Sequence, residues 1–256
     1  MRLFFSIMAI IIVATQLFAT RTFTGITGAV TQPSAEIKTT GLAADITYSG
    51  GSLREVDNSC FTHDFDLVPL VDGKSFGEVM DGNGTLAMDV AIGNASSFEG
   101  SLALATSSGL SSTGLNLKFQ FLNSGDLRAA VGLGGLMYSG ENDIQYKMYS
   151  YDAYGVVSYL FSENLTLSAN VAYKGYSTEI TYLGNDYDFS RDTVTYGLAA
   201  NYDMDNFEFA ADYMFGTEDD LWGLKAAYKF DKKWSASAGV IGSKDANLFC
   251  TVSYGL

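Results

Sequence analysis

The sequence predicts an all-β fold: an antiparallel, up-and-down transmembrane β-barrel of about 12 strands, with 10 as the alternative count. Three observations point there. Apolar and polar residues alternate with period two in one run after another. The connections between runs sort into a short set and a longer, more varied set. The chain also opens on what reads as an export leader.

Taken from the start, Met1-Arg2 gives a positive end, and "LFFSIMAIIIVA" (residues 3–14) is an unbroken apolar stretch. It is too short to span a bilayer as a helix, so residues 1–19 read as a signal peptide cleaved after Ala19. Residues 20–40 follow as an N-terminal segment that belongs to the periplasm or the lumen. Residues 41–256 form the barrel domain. Within it, alternating runs fall at 41–48, 85–93, 98–105, 113–122, 127–138, 153–161, 164–174, 193–203, 206–215, 221–230, 233–241 and 247–254. Most are eight to twelve residues long, near the ~9–11 of a tilted membrane strand and above the ~5–6 usual in soluble sheets. The only prolines, Pro33 and Pro69, lie outside every run, as strand pairing requires.

The short connections are "NASS", "NSGD", "SEN", "MDN" and "DKK", expected as periplasmic turns. The others are residues 49–84, "SSGLSS", 139–152, 175–192, "GTEDD" and "GSKDAN", expected as longer extracellular loops. Phe121, Phe161, Tyr202 and Phe230 come just before short turns, and Phe207 and Trp234 just after. That places an aromatic ring at one rim, where such residues mark a membrane–water boundary. Loop 49–84 carries the apolar "FDLVPLVDG" and is expected to fold into the mouth and narrow it.

The strand charges lie opposite the large apolar residues: Asp45, Asp89, Glu99, Lys118, Arg128, Lys174, Glu208, Asp212, Lys225 and Lys229. If the apolar face meets lipid, these ten line the lumen, because a cation at the bilayer midplane costs about 2–4 kcal/mol. In the hairpin 206–230, a four-residue loop sets Asp212 opposite Lys225 and Glu208 opposite Lys229, and opposite charges favour this register over one that sets Asp212 against Gly223. External acids (Glu141, Asp143, Asp152, Asp186, Asp188, Asp192, Glu218, Asp219, Asp220) predict cation preference in an open channel.

With these residues in view, the mature chain resembles a porin-like outer-membrane β-barrel of Gram-negative bacteria. The final strand, "LFCTVSYGL", is similar to the closing strand that barrel-assembly machinery reads, but it ends in Leu256 where Phe is usual. "GITGAVTQPSAEI" (residues 25–37) resembles an opening segment of outer-membrane proteins linked to polysaccharide export. The resemblance implies a passive channel for small hydrophilic solutes in the cell outer membrane, in contact with lipid and lipopolysaccharide. The alternative is a non-conducting structural or surface-interaction barrel.

Nothing points to an enzyme, a cofactor or a metal. The only histidine, His63, lies in loop 49–84 without a motif around it. "DGNG" (residues 81–84) lacks the repeated ligands and closing Glu of a calcium loop and reads as a tight turn. Cys60 and Cys250 are expected to stay unbridged, one in an external loop and the other on the lipid face. A net charge of −14 argues against nucleic acid as a partner.

Overall fold

The computed structural model describes residues 32–37, 39–50, 84–94, 97–107, 110–141, 145–182, 185–216, 220–231, 233–242 and 246–255. The expected signal peptide, loop residues 51–83 with Cys60 and His63, and the acids Asp143, Glu218 and Asp219 lie outside the described residues.

Twelve strands form one closed antiparallel barrel. In chain order they are β1 (Thr40–Ser49), β2 (Thr85–Asn94), β3 (Phe98–Ser107), β4 (Leu110–Ser124), β5 (Leu127–Glu141), β6 (Gln145–Ser162), β7 (Leu165–Tyr182), β8 (Asn185–Met204), β9 (Phe207–Phe215), β10 (Leu221–Lys229), β11 (Trp234–Gly242) and β12 (Ala246–Gly255). Each strand pairs with its sequence neighbours, and β12 closes on β1 from Ala43 opposite Gly255 to Ser49 opposite Phe249. Closure leaves no unpaired edge, which a sheet in lipid requires. No described helix is long and apolar enough to cross a membrane.

The period-two pattern sorts onto two faces. Ile46, Leu86, Leu115, Leu133, Val157, Val171, Leu198, Phe209, Leu224 and Val252 are all exposed on the outer surface. Their strand neighbours, including Asp45, Asn116, Ser158, Asn170, Glu208 and Lys225, are buried inside. A water-soluble protein would have these reversed.

The rim at the short turns is aromatic. Phe121 and Phe161 are the extra residues at two β-bulges, where pairing skips from Gln120 to Leu122 and from Leu160 to Ser162. A bulge at a barrel rim re-aims a side chain, and both rings are strongly exposed, at 60% and 67%. On β9–β12 the ring continues as contacts: Phe207 to Tyr228 at 5.0 Å, Tyr228 to Phe230 at 5.3 Å, and Trp234 to Tyr254 at 4.5 Å between centroids. The turns themselves are capped by side chains. Asn94 Oδ1 accepts from the amides of Ser97 and Phe98. Asp231 Oδ1 accepts from those of Lys233 (2.6 Å) and Trp234 (2.9 Å), which holds its carboxyl below the usual aspartate range.

Strand ends depart from expectation on the other side. Segments 139–152 and 175–192, expected as loops, are largely strand: β5 and β6 are joined through 142–144, and β7 and β8 through 183–184. Here the outward positions are polar, with Lys147 opposite Glu179 and Glu179 opposite Asp188, so the stretch lacks the apolar alternation that marks the other strands although its backbone pairing continues. From Phe161 to Tyr151, β6 rises about 25 Å at ~3.4 Å per residue and a tilt near 40°, the height of a barrel's apolar band. At that upper level Tyr151 donates to Asp192 Oδ1 at 2.6 Å on the outer surface.

The β9–β10 register also differs from expectation. Asp212 stands opposite Gly223, Lys225 opposite Ala210 and Glu208 opposite Ala227. A cross-strand charge pair is worth only about 0.2–1 kcal/mol, and Asp212 has a partner elsewhere. Its Oδ2 accepts the backbone N–H of Gln32 at 3.0 Å.

Candidate functional site: the lumen and the segment that crosses it

With strands ~4.8 Å apart and tilted by ~40°, twelve close a ring about 24 Å across between backbones. Side chains alone do not fill that width, and the inner wall here mixes charges and small polar residues with large buried side chains, among them Tyr138, Met148, Tyr154, Tyr176, Met214 and Phe249. Residues 32–37 and Thr39 enter this space ahead of β1. Their recorded contacts run from β3 at Thr39 to β9 at Gln32, strands on opposite sides of the ring.

Pro33 lacks an N–H and discourages a ladder, so the wall's side chains satisfy much of the segment's backbone. Lys118 on β4 donates to the carbonyls of Ser34 (3.2 Å) and Glu36 (2.8 Å). Its third donor meets Glu99 Oε2 on β3 at 2.8 Å, and both side chains are 0% exposed. Glu99 Oε1 accepts from the Thr39 hydroxyl. Gln120 Nε2 donates to the Ala35 carbonyl at 2.7 Å, and the Ala35 amide donates to Ser158 Oγ at 2.7 Å. Arg128 pairs with the Glu36 carboxylate. At the far end, Asn170 Nδ2 donates to Gln32 Oε1 at 2.9 Å. Gly197 leaves room there, because a Cβ on it would collide with the Gln32 side-chain oxygen.

Each of the ten predicted lining residues falls on the inner register. Asp45 and Asp89 face each other across β1 and β2. Glu99 and Lys118 are also directly opposed and form the ion pair above. Arg128 reaches the segment, and Lys174 stands opposite Asp152, with its ammonium 3.5 Å from Met214 Sδ. Lys229 bonds Asp203 at 3.1 Å and approaches Glu208 at 3.6 Å, a diagonal contact in place of the expected direct one. Asp212 and Lys225 are not cross-strand partners. Of the acids expected at the mouth, Asp152 lies on inward-facing β6 and Asp192 is held by Tyr151 on the outer face.

Sequence reasoning did not single out Gln32, Ser34, Glu36, Thr39, Gln120, Ser158 or Asn170. The wall residues Gln120, Ser158 and Asn170 carry no charge signal, and the segment is marked in the sequence only as the stretch "GITGAVTQPSAEI", with nothing in it that names a partner. Cys250 is a free thiol exposed on the outside of β12. Among the described residues no His, Cys, Asp or Glu group has the arrangement of a metal site.

The barrel has solved structural counterparts. The KdgM porin superposes with a TM-score of 0.56 at 13% identity, covering 84% of this chain and 99% of that one. The same porin in complex with disordered oligogalacturonate gives the same figures. The NanC porin gives 0.53 at 11% identity, covering 84% and 100%. The translocator domain of autotransporter NalP from Neisseria meningitidis gives 0.51 at 13%, covering 85% and 89%. At these identities the likeness is one of fold. No protein-family model matches the chain, and comparison with curated proteins gives no match.

Proposed function

We propose that this chain is a porin-like channel of a Gram-negative outer membrane, passing small hydrophilic solutes by diffusion. The observation that carries it is the inside-out barrel: a lipid-compatible apolar exterior around an inner wall that carries the chain's buried charges and polar residues beside inward tyrosines and other large side chains. Such a wall can replace part of a solute's hydration, and its charges tune selectivity. The fold it shares with KdgM and NanC supports the reading. Export by the N-terminal leader, assembly by the barrel machinery and contact with lipid and lipopolysaccharide follow from it.

The net charge of −14 bears on the solute. An acidic chain repels polyanions, so an oligogalacturonate, seen with KdgM, is a poor fit, and neutral or cationic solutes are the better class.

A second reading has an observation of its own. Residues 32–37 and Thr39 lie across the lumen with backbone groups tied to the wall, which suits a non-conducting structural or surface-interaction barrel. Osmotic swelling of proteoliposomes in small neutral sugars separates the two. Swelling that slows as sugar size increases is expected. Liposomes that swell no faster than empty ones would leave the non-conducting barrel.

A further inference from the structure

The outer wall carries a recess that strand alternation does not require. On β6 the outward residues Tyr149, Tyr151, Val157, Tyr159 and Phe161 are large and exposed, but between them stand Ala153 and Gly155. Ala153 lies between Leu133 on β5 and Tyr173 on β7, and Gly155 lies between Val131 and Val171. These four side chains wall a groove of about 680 Å³, within the ~300–1,000 Å³ of small-molecule sites. Among the described residues, nothing lies within 4 Å of the place a Cβ on Gly155 would take. A glycine inside a strand marks a bulge, a bend or the close approach of another molecule. The ladder runs through Gly155 on both sides without a shift, which leaves the close approach.

The groove has a polar end. Above Ala153, Tyr151 leans over Gly175, where a Cβ would collide with its ring, and donates to Asp192 Oδ1 at 2.6 Å. Tyr173, itself a groove wall, stands beside the same carboxylate, with its ring 6.4 Å from that of Tyr151. From Tyr151 to Val157 the strand covers ~20 Å, or ~15 Å of depth at a tilt near 40°. That is one leaflet, half of the ~30 Å hydrocarbon core. Backbones of β5 and β7 lie ~9.6 Å apart, which leaves a single-chain width between their side chains. A second barrel, convex like this one, would meet the lips of the groove and miss its floor.

We propose that this groove binds one outer-leaflet lipid with an ammonium-bearing head, its acyl chain lying on Ala153 and Gly155 and its head against Asp192. A carboxylate that takes two tyrosine hydroxyls still has free acceptor positions. Outward positions farther along β6–β8 add an excess of acid, with Glu179, Asp186 and Asp188 against Lys147. This field attracts an ammonium group and repels an anionic head.

The site rests on the outer-membrane reading but not on an open lumen, and the test keeps the two apart. Refolded full-length protein in non-ionic micelles with EDTA is given dimyristoyl phosphatidylethanolamine or phosphatidylglycerol. Retained lipid is counted by native mass spectrometry. The wild type should retain the ethanolamine lipid about fivefold better, as an exposed ion pair allows. Gly155→Leu fills the floor and should cut retention of both lipids about tenfold, through lost apolar contact. Ala238→Leu, outward on β11, should leave retention unchanged. Asp192→Asn should keep the chain bound and lose the preference between heads. Equal retention of the two lipids by the wild type overturns the site, as does retention untouched by Gly155→Leu or a preference that survives Asp192→Asn. A dimer that Gly155→Leu breaks assigns the groove to a second copy and overturns the lipid. A chain that stays in solution without detergent overturns the outer-membrane reading itself.

Discussion

At the scale of single residues, the chain contains charges that are costly alone and inexpensive together. Glu99 and Lys118 are fully buried, and removing one partner of such a pair costs about 3–5 kcal/mol, because the other is left as an unpaired charge. Lys118→Met should therefore lower the temperature at which the folded barrel converts to the slow-running form on gels. Glu99→Gln with Lys118→Met should recover most of that loss; a double variant as weak as the single one would show that the pair is not what the site needs. Gly197 tests the other end of the segment. A Cβ there meets the tip of the Gln32 side chain and the Asn170 amide rather than backbone, so Gly197→Ala should leave heat resistance nearly unchanged while loosening Gln32. Faster proteolysis of the N-terminal segment is the expected result, and unchanged proteolysis would mean that Gln32 adds nothing to its seating.

At the scale of elements, the β9–β10 hairpin is the sharpest case. Cysteines replacing Asp212 and Gly223 should crosslink under mild oxidation, and cysteines replacing Asp212 and Lys225 should not; the reverse would restore the register favoured by charge matching. All twelve strands were legible from alternation, because each strand has one lipid face and one inner face, and a slip by one residue exchanges them. The outward direction of Phe207, Phe209, Tyr213 and Phe215 was legible not from alternation, which a soluble sandwich shares, but from the leader, the strand lengths, the sorted loops and the aromatic rim. Register was not, since a slip of two keeps both faces intact and leaves only small pairwise terms to decide. The extensions of β6–β8 were hidden by their composition: Lys147, Glu179 and Asp188 make a polar strand surface that reads as loop. The lining charges could be placed on a face from their parity, but their partners could not be read. Asp212 bonds the Gln32 amide, a contact across 180 residues of sequence that no local pattern encodes.

At the scale of the whole molecule, an apolar exterior, an aromatic rim and a closed ladder place the barrel in a bilayer, and net charge sets what it should admit. The acids Asp186 and Asp188 are exposed beyond the apolar band, and the chain carries −14 overall. Fixed negative charge attracts cations within a Debye length of about 8 Å at physiological salt. The preference should strengthen as salt is lowered and weaken at molar salt. The direct measurement is single-channel recording of the refolded wild-type protein in a planar bilayer under a salt gradient. Discrete, uniform current steps with a reversal potential of cation-selective sign are predicted. A bilayer that holds the protein and shows no steps would contradict the channel, and steps reversing at an anion-selective potential would contradict the charge assignment.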